Sequence, residues 1–516
     1  MLFWILPQFW HLSHTLEVDK NVKNTYHLPD KGSNRVNSAE IYYKKMTETP
    51  VTKLVVRLGI PTTISMLITS IYNMADTYFV GTLGESAQGS IGVLFTLQSI
   101  IQAIAFMLGH GSGTFVSKEL ANKDVKKAST YVSSAFFLGG GIGLIMTAFG
   151  LIFLTPLMRA LGSTETMLHY AKDYGMWVLI SCPFMICSLI LNNNLRYEGK
   201  ALFAMIGLVS GAFLNMGLDF VFISVCNLEV FGAGMATAIS QIVSFAILLI
   251  LYFKTAQSKI SFRNISKEFK LYLGIFKNGL PSLIRQGLNS ISSGVLNHLA
   301  GMHGANLPVD PELNPADATI AAMSIVNRIA NFVMCVGMGI SQGLQPVASF
   351  NYQARKFKRV KRALAVTCLI NLGCIAVLAI PELVAPEFMI SLFQDQPLVI
   401  EIGAPALRYA MLGMLFMPLF IPLNMTLQSI HKAGMASFLA LLRSGLLFIP
   451  IVFATTALWG VTGVQISQPV SDALTGLVSL PILLHFFKTP PSVDEPDEQP
   501  NTEETSTEME ENKIEN

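Results

Sequence analysis

The chain carries its backbone plan twice. Leu58-Gly59-Ile60-Pro61 opens a long apolar run that closes at Gly81-Thr82-Leu83-Gly84, and 220 residues later Asn278-Gly279-Leu280-Pro281 opens one that closes at Gly301-Met302-His303-Gly304. Later pieces recur in the same order. Ser240-Gln241 after Gly232 returns as Ser467-Gln468 after Gly460, and the hinge 195–201 (LRYEGKA) aligns with 427–433 (LQSIHKA). A duplicated train of apolar segments predicts two membrane-embedded halves facing each other across a shared pathway, the architecture of a secondary transporter.

That reading needs lipid as the solvent. Apolar residues fill 52% of the 516 positions and charged ones 13%, with mean hydropathy +0.51, outside the range of ordinary soluble domains. Six cysteines (182, 187, 226, 335, 368, 374) lie mostly inside apolar runs without a CxxC pair. They read as small core residues, not as a disulfide or zinc framework. The formal charge of +2 hides an uneven layout, because residues 491–516 hold ten acids and one lysine, which leaves +11 on the rest. That tail is expected to be disordered and solvated. At the other end, 1–12 is apolar but shorter than the ~20 residues a span requires, and 13–45 is polar without periodicity. No basic stretch precedes the apolar one and no clean small-x-small site follows it, so a signal peptide fits poorly. The expectation is that translation starts at Met46, which N-terminal sequencing that recovered Met1 would reject.

Apolar windows bounded by polar or Gly/Pro breaks fall near 55–80, 88–116, 129–154, 171–194, 201–224 and 232–253, then 274–300, 318–346, 363–381, 403–427, 436–458 and 460–486. The expected fold is therefore an all-α polytopic membrane protein of twelve transmembrane helices in two six-helix lobes. Six is even, so both repeats start on the same side and are related by an axis along the membrane normal, a parallel internal repeat. The expected parts are an N-terminal extension (1–53), an N-lobe of spans 1–6 (54–254), a cytoplasmic linker (255–273), a C-lobe of spans 7–12 (274–488) and the acidic tail (489–516). Lysine and arginine collect in three loops. Lys118, Lys123, Lys126 and Lys127 follow span 2; Lys254, Lys259, Arg263, Lys267, Lys270 and Lys277 follow span 6; Arg355, Lys356, Lys358, Arg359, Lys361 and Arg362 follow span 8. The opposite loops hold Asp310, Glu312, Asp317, Glu387 and Asp395, with Arg159 the basic exception. The positive-inside rule then puts both termini in the cytoplasm of a multi-pass plasma (inner) membrane protein. The basic loops read as topology determinants, and no nucleic-acid partner is expected.

Charges kept inside spans cost roughly 2.5 to 3.5 kcal/mol at a helix centre, so each is a functional candidate. Asp76 lies near the outer end of span 1 and Asp219 near that of span 5, which places both roughly 6 to 8 Å below the outer rim at ~1.5 Å per residue. Asn215 shares a helical face with Asp219. Thr237 reaches the same depth from the start of span 6, and Ala233 one turn earlier would offer a free carbonyl if that end is irregular. Several oxygen ligands suit a small hard cation such as Na⁺. Two carboxylates close together away from water resist being ionised at once, so the grouping equally suits a proton. The second repeat replaces Asp76, Asn215 and Asp219 by Leu296, Leu447 and Ile451. It carries instead Arg285, His298, Arg328, Arg443, Gln465 and Asp472, and Asp472 is expected to pair structurally with Arg285 or Arg443. The many Met and Phe side chains suit a cavity that repacks around varied apolar guests.

Five stretches together resemble a known family. They are 73–81 (NMADTYFVG), Leu195-Arg196 with Gly199, Asn215-x-x-x-Asp219 followed by 220–223 (FVFI), Gly232-Ala233-Gly234-x-Ala236-Thr237, and Gly343-x-Gln345-Pro346. The resemblance is to the multidrug and toxic compound extrusion (MATE) transporters, their MepA-like branch above all, and covers about 54–488. It implies a cation-coupled antiporter that exports cationic or amphipathic organic compounds by alternating access. The family's first-lobe cation site falls on Asp76, Asn215, Asp219, Ala233 (carbonyl) and Thr237. Another branch uses carboxylates in spans 7 and 10; here span 7 offers Gln286 and Asn289, and 403–427 holds no acid, so no second-lobe cation site is expected. Asn73, Gln241, Gln286 and Asn289 are the candidates for substrate contact. The family's span-1 proline falls on Pro61, where it would set a helix start or a bend.

The expected function is thus exchange of H⁺ or Na⁺ for an organic compound, with no cofactor, no enzymatic activity and a monomeric state. The alternative is a flippase for lipid-linked oligosaccharides or other amphiphiles on a similar duplicated body. Such a flippase should line its cavity with cationic groups to hold a pyrophosphate, whereas the first-half pocket is acidic. A membrane enzyme would need clustered His, Ser/His or metal ligands at one depth, and His298 has no such company. Receptor or channel function fits the duplication poorly.

Overall fold

The computed structural model describes residues 35–488 apart from 82, 84, 306 and 308–313. The apolar 1–12 segment, the acidic tail and the outer-loop acids Asp310 and Glu312 lie outside the described residues. Among the described residues every regular element is helical. Span 1 is Val51–Gly81, span 2 Glu85–Ala121, span 3 Val125–Ile152 and span 4 Leu168–Tyr197; span 5 is Ala201–Asp219 continued by Phe220–Val225, and span 6 is Glu229–Thr255. The C-lobe repeats the series. Span 7 is Phe269–Gly304, span 8 Pro315–Gln353, span 9 Phe357–Val384, and span 10 Pro397–Met414 with Met417–Ser429. Spans 11 and 12 share the stretch Ala433–Lys488, folded back at Gly460. Even the connectors repeat, since a short helix, Leu154–Ala160, follows span 3 and another, Pro386–Ser391, follows span 9.

Local chemistry accounts for the interruptions. Gly460 sits at φ 55° and ψ −127°, a backbone state open essentially to glycine alone. Span 10 bends by 50° between Met414 and Met417, next to Pro418, which has no N–H to carry the ladder onward. Among the described residues nine helices, with Ala433–Lys488 taken as one, are long and apolar enough to cross a membrane, and the bent pair makes a tenth. Span 7, although 36 residues long, is too polar to qualify on composition because it carries Lys277, Arg285, Gln286 and Asn289. Several helices overrun the apolar windows, span 2 to Ala121 and span 8 to Gln353. Hydropathy reads only the lipid-immersed part of a helix that continues into the basic loops. Pro61 likewise does not start span 1, which begins at Val51; it lies inside the helix, where the Thr62 hydroxyl donates to the Leu58 carbonyl at 2.9 Å.

Although 13–45 reads as polar without periodicity, its last part is helical. Arg35–Glu48 is a helix with Tyr42 and Met46 buried. It touches both lobes. The Tyr42 hydroxyl donates to the Tyr197 carbonyl at 3.3 Å and its ring meets Phe350 edge-on at 5.3 Å, while Asn351 Nδ2 donates to the Met46 carbonyl at 3.1 Å. Tyr42 and Met46, one helical turn apart, form its buried face.

The lobes are joined at one end. Leu54, Leu58, Leu120 and Leu195 of the N-lobe share a core with Leu344, Val347, Phe350 and Leu423 of the C-lobe on the face bearing the basic loops. The other two cores belong largely to one lobe each. The duplicated Gly-x-Pro motif marks the join. A Cβ on Gly59 would stand 3.3 Å from Ile340 Cα, and one on Gly279 would stand 2.0 Å from the Met107 carbonyl oxygen. Spans 1 and 8, and spans 2 and 7, can approach this closely only because those positions lack side chains.

Candidate cation-coupling site

In the N-lobe, four helices bring polar groups to one buried spot. Asp76 on span 1, Asn215 and Asp219 on span 5 and Thr237 on span 6 are all buried, Asp219 completely. The fourth helix is span 4, which contributes Tyr174. Its hydroxyl donates to Asp76 Oδ2 at 2.9 Å and lies 2.9 Å from Thr237 Oγ1. Asn215 Nδ2 reaches Thr237 Oγ1 at 3.4 Å and Asp219 Oδ1 at 3.5 Å. A chain of hydrogen bonds therefore runs from Asp76 through Tyr174, Thr237 and Asn215 to Asp219. The sequence explains how span 4 comes so near: a Cβ on Gly234 would stand 2.9 Å from Tyr174 Cα, so the glycine lets span 6 lie flat against it. After Asp219 the helix widens into a π-helical turn, Phe220–Val225, a feature that often accompanies functional residues.

What the network leaves unpaired defines its chemistry. Asp76 Oδ1, Asn215 Oδ1 and Asp219 Oδ2 are buried and receive no hydrogen bond. Each is an oxygen acceptor, and an unmet buried acceptor costs about 1–3 kcal/mol, more when charged. Three such atoms in one pocket form a donor set for a proton or a small hard cation. Ala233 is fully buried but stands in the second turn of a helix that begins at Glu229, not at Gly232. Its carbonyl thus belongs to a regular helix and is not freed by an irregular start. Asn73 and Gln241 are half-buried on spans 1 and 6 and make no hydrogen bond to the network. Gln286 and Asn289 lie in the other lobe, on a cavity that also includes Arg285, Asn424 and Arg443. Tyr174 was the missed member. It lies six residues from the helix start at Leu168, as Thr237 lies eight from Glu229, but depth alone does not separate an inward tyrosine from an interfacial anchor.

The C-lobe pairing resolves to Arg443, whose Nε donates to Asp472 Oδ1 at 2.9 Å, with Gln468 Nε2 on the same oxygen at 3.0 Å. His298 and Arg328 are exposed, and Gln465 donates to the Ile402 carbonyl at 2.8 Å. Between the lobes lies a second buried polar network. Arg196 hydrogen-bonds Gln342 across the interface. His110 Nδ1 lies 2.7 Å from Ser282 Oγ, which accepts from Gln428 Nε2 at 2.9 Å. Arg196 and Gln428 occupy matching positions of the two repeated hinges, so the duplication supplies both sides of this contact.

Residues 61–221 and 313–454 match the MatE family model. The chain is 28% identical over 460 residues to the multidrug export protein MepA of Staphylococcus aureus strain MRSA252, covering 88% of this chain and 98% of that protein. It is 27% identical over 437 residues to the MepA of Staphylococcus haemolyticus strain JCSC1435, covering 84% and 93%. Among solved structures, an outward-facing multidrug resistance MATE family transporter of the MOP superfamily superposes with a TM-score of 0.79 at 21% identity, covering 86% of this chain and 98% of that one. A MOP superfamily transporter from Pyrococcus furiosus, described as having a binding pocket of reverse polarity that suggests a different function, gives 0.79 at 21%, covering 89% and 100%. These likenesses extend the twelve-helix, two-lobe fold over nearly all the described residues.

Proposed function

The chain belongs to the MatE family, and from that premise we propose that it is a secondary antiporter of the plasma membrane that exports cationic or amphipathic organic compounds in exchange for H⁺ or Na⁺. The observation that carries the coupling is the set of three unpaired oxygens on Asp76, Asn215 and Asp219, buried together in the N-lobe. Its relatives named as multidrug export proteins support the substrate class. The basic loops support cytoplasmic termini. With that orientation the shared core and the Arg196–Gln342 contact close the cytoplasmic half, the outward-facing arrangement of an alternating-access cycle.

Coupling requires the two ligands to favour different states. A cation taken up from outside at Asp76 and Asp219 favours release of the organic compound, and compound arriving from the cytoplasm drives the return. The test is efflux of a fluorescent organic cation from vesicles under separately imposed pH and sodium gradients. Flux driven by one gradient and collapsed by dissipating it is the expected result, and flux indifferent to both would remove the coupling role. Tyr174→Phe removes the donor to Asp76. Since a hydrogen bond to a charged group contributes ~1.5–3 kcal/mol, the coupling-ion concentration for half-maximal flux should shift by about 10- to 150-fold, with little change in fold because the ring remains.

A further inference from the structure

We propose that Arg285 anchors a second ligand site, in the C-lobe, which takes the carboxylate of a zwitterionic organic compound. The argument starts from charge. Arg285 and Arg443 face one cavity between spans 7, 8, 10 and 11, and the carboxylate bonded there, Asp472, is held by Arg443. Arg443 is further packed over the Phe420 ring, 5.7 Å from its centroid. Arg285 has a neutral partner instead: its Nη1 donates to Asn424 Oδ1 at 3.2 Å. Its Nε is buried with no acceptor, and among the described residues no carboxylate lies in salt-bridge range of it. A guanidinium inside a span normally faces a counter-charge, and here the protein does not provide one.

The space beside it defines the ligand. The cavity measures about 40 Å³, room for a few waters or one carboxylate. Its lining includes the exposed Asn289 and the half-buried Gln286, amides that can hydrogen-bond the rest of the guest. A planar guanidinium with free donors matches a carboxylate in a two-point contact. A guest that carries a carboxylate on a cationic, apolar body would engage this site by its anionic end. The inference rests on export of organic compounds by this chain, but not on the N-lobe acids.

The experiment uses a matched dye pair, rhodamine 6G, a cationic ethyl ester, and its free acid, a zwitterion. Binding of each to purified full-length protein in lipid nanodiscs is followed by fluorescence anisotropy without any gradient. The wild type should bind the free acid at least as tightly as the ester. Arg285→Gln should raise the Kd of the free acid at least tenfold and move that of the ester less than twofold, and Arg285→Lys should recover part of the loss. A wild-type preference for the ester, an equal loss of both dyes in Arg285→Gln, or an unchanged Kd for the free acid would overturn the proposal. Should Arg285→Gln prove unfolded by thermal melting, the wild-type comparison and Arg285→Lys decide. Failure of the export reading would look different: neither dye would move in vesicles, while the difference in binding persisted.

Discussion

Asp219→Asn should uncouple efflux from the ion gradient, leaving a folded protein that still binds organic compound. The substitution keeps the shape of the side chain and its place next to Asn215, so packing around the fully buried position changes little. What it removes is one of the two ionisable carboxyl groups and the oxygen that receives no hydrogen bond. Under an imposed gradient, the initial rate of efflux should fall by about 5- to 150-fold, the span that corresponds to a coupling free energy of ~1–3 kcal/mol. Equilibrium binding of the same compound without a gradient should stay within about twofold, because the role proposed for this residue is toward the ion and not the guest. Asp76→Asn should behave similarly but less severely, since Tyr174 already donates to one of its oxygens at 2.9 Å. Gradient-driven efflux at the wild-type rate in Asp219→Asn would end the role assigned to this pocket.

Much of this pocket was legible because membrane helices leave few places for polar side chains. Asp76, Asn215, Asp219 and Thr237 could be ranked by depth from the sequence alone, since rise per residue is fixed once a span has an end. The structure joins all four through hydrogen bonds. Tyr174 was not legible by the same argument, because a tyrosine near the end of a span is usually read as an interfacial anchor; only the tertiary approach of span 4 to Gly234 turns it inward. The duplication fixed the lobes and their helix count, and its Gly-x-Pro motif turned out to mark where the lobes touch. Helix ends were read less well. Span 6 begins at Glu229, three residues before Gly232, which moves Ala233 from a helix start into regular helix. Residues 35–48 escaped notice for a related reason: a short helix whose polar side chains dominate gives no hydropathy signal, although Tyr42 and Met46 anchor it between the lobes.

Gly343→Leu should force open the face that bears the basic loops and stop transport by trapping the protein away from the state described here. A Cβ at 343 would stand 2.4 Å from Gly59 N and 2.5 Å from Gly59 Cα. Those are backbone atoms, so no rotamer change relieves the clash, and spans 1 and 8 must separate. The penalty falls on this state alone, because the opposing surfaces part when that half opens. Overpacking a tight contact costs typically ~1–3 kcal/mol, which shifts a two-state population by about 5- to 150-fold toward the open form. The change can be read at the rim of the same face, where Gln353 Nε2 of the C-lobe donates to Asn122 Oδ1 of the N-lobe at 3.0 Å. With the six native cysteines replaced, Asn122→Cys and Gln353→Cys should cross-link readily in the parent and poorly with Gly343→Leu added. Gly343→Ala should give an intermediate yield, since it introduces the same Cβ without the branched end. Undiminished cross-linking in the leucine variant, with thermal melting showing it folded, would mean that the lobes do not part along spans 1 and 8, and the alternating-access motion would have to pivot elsewhere.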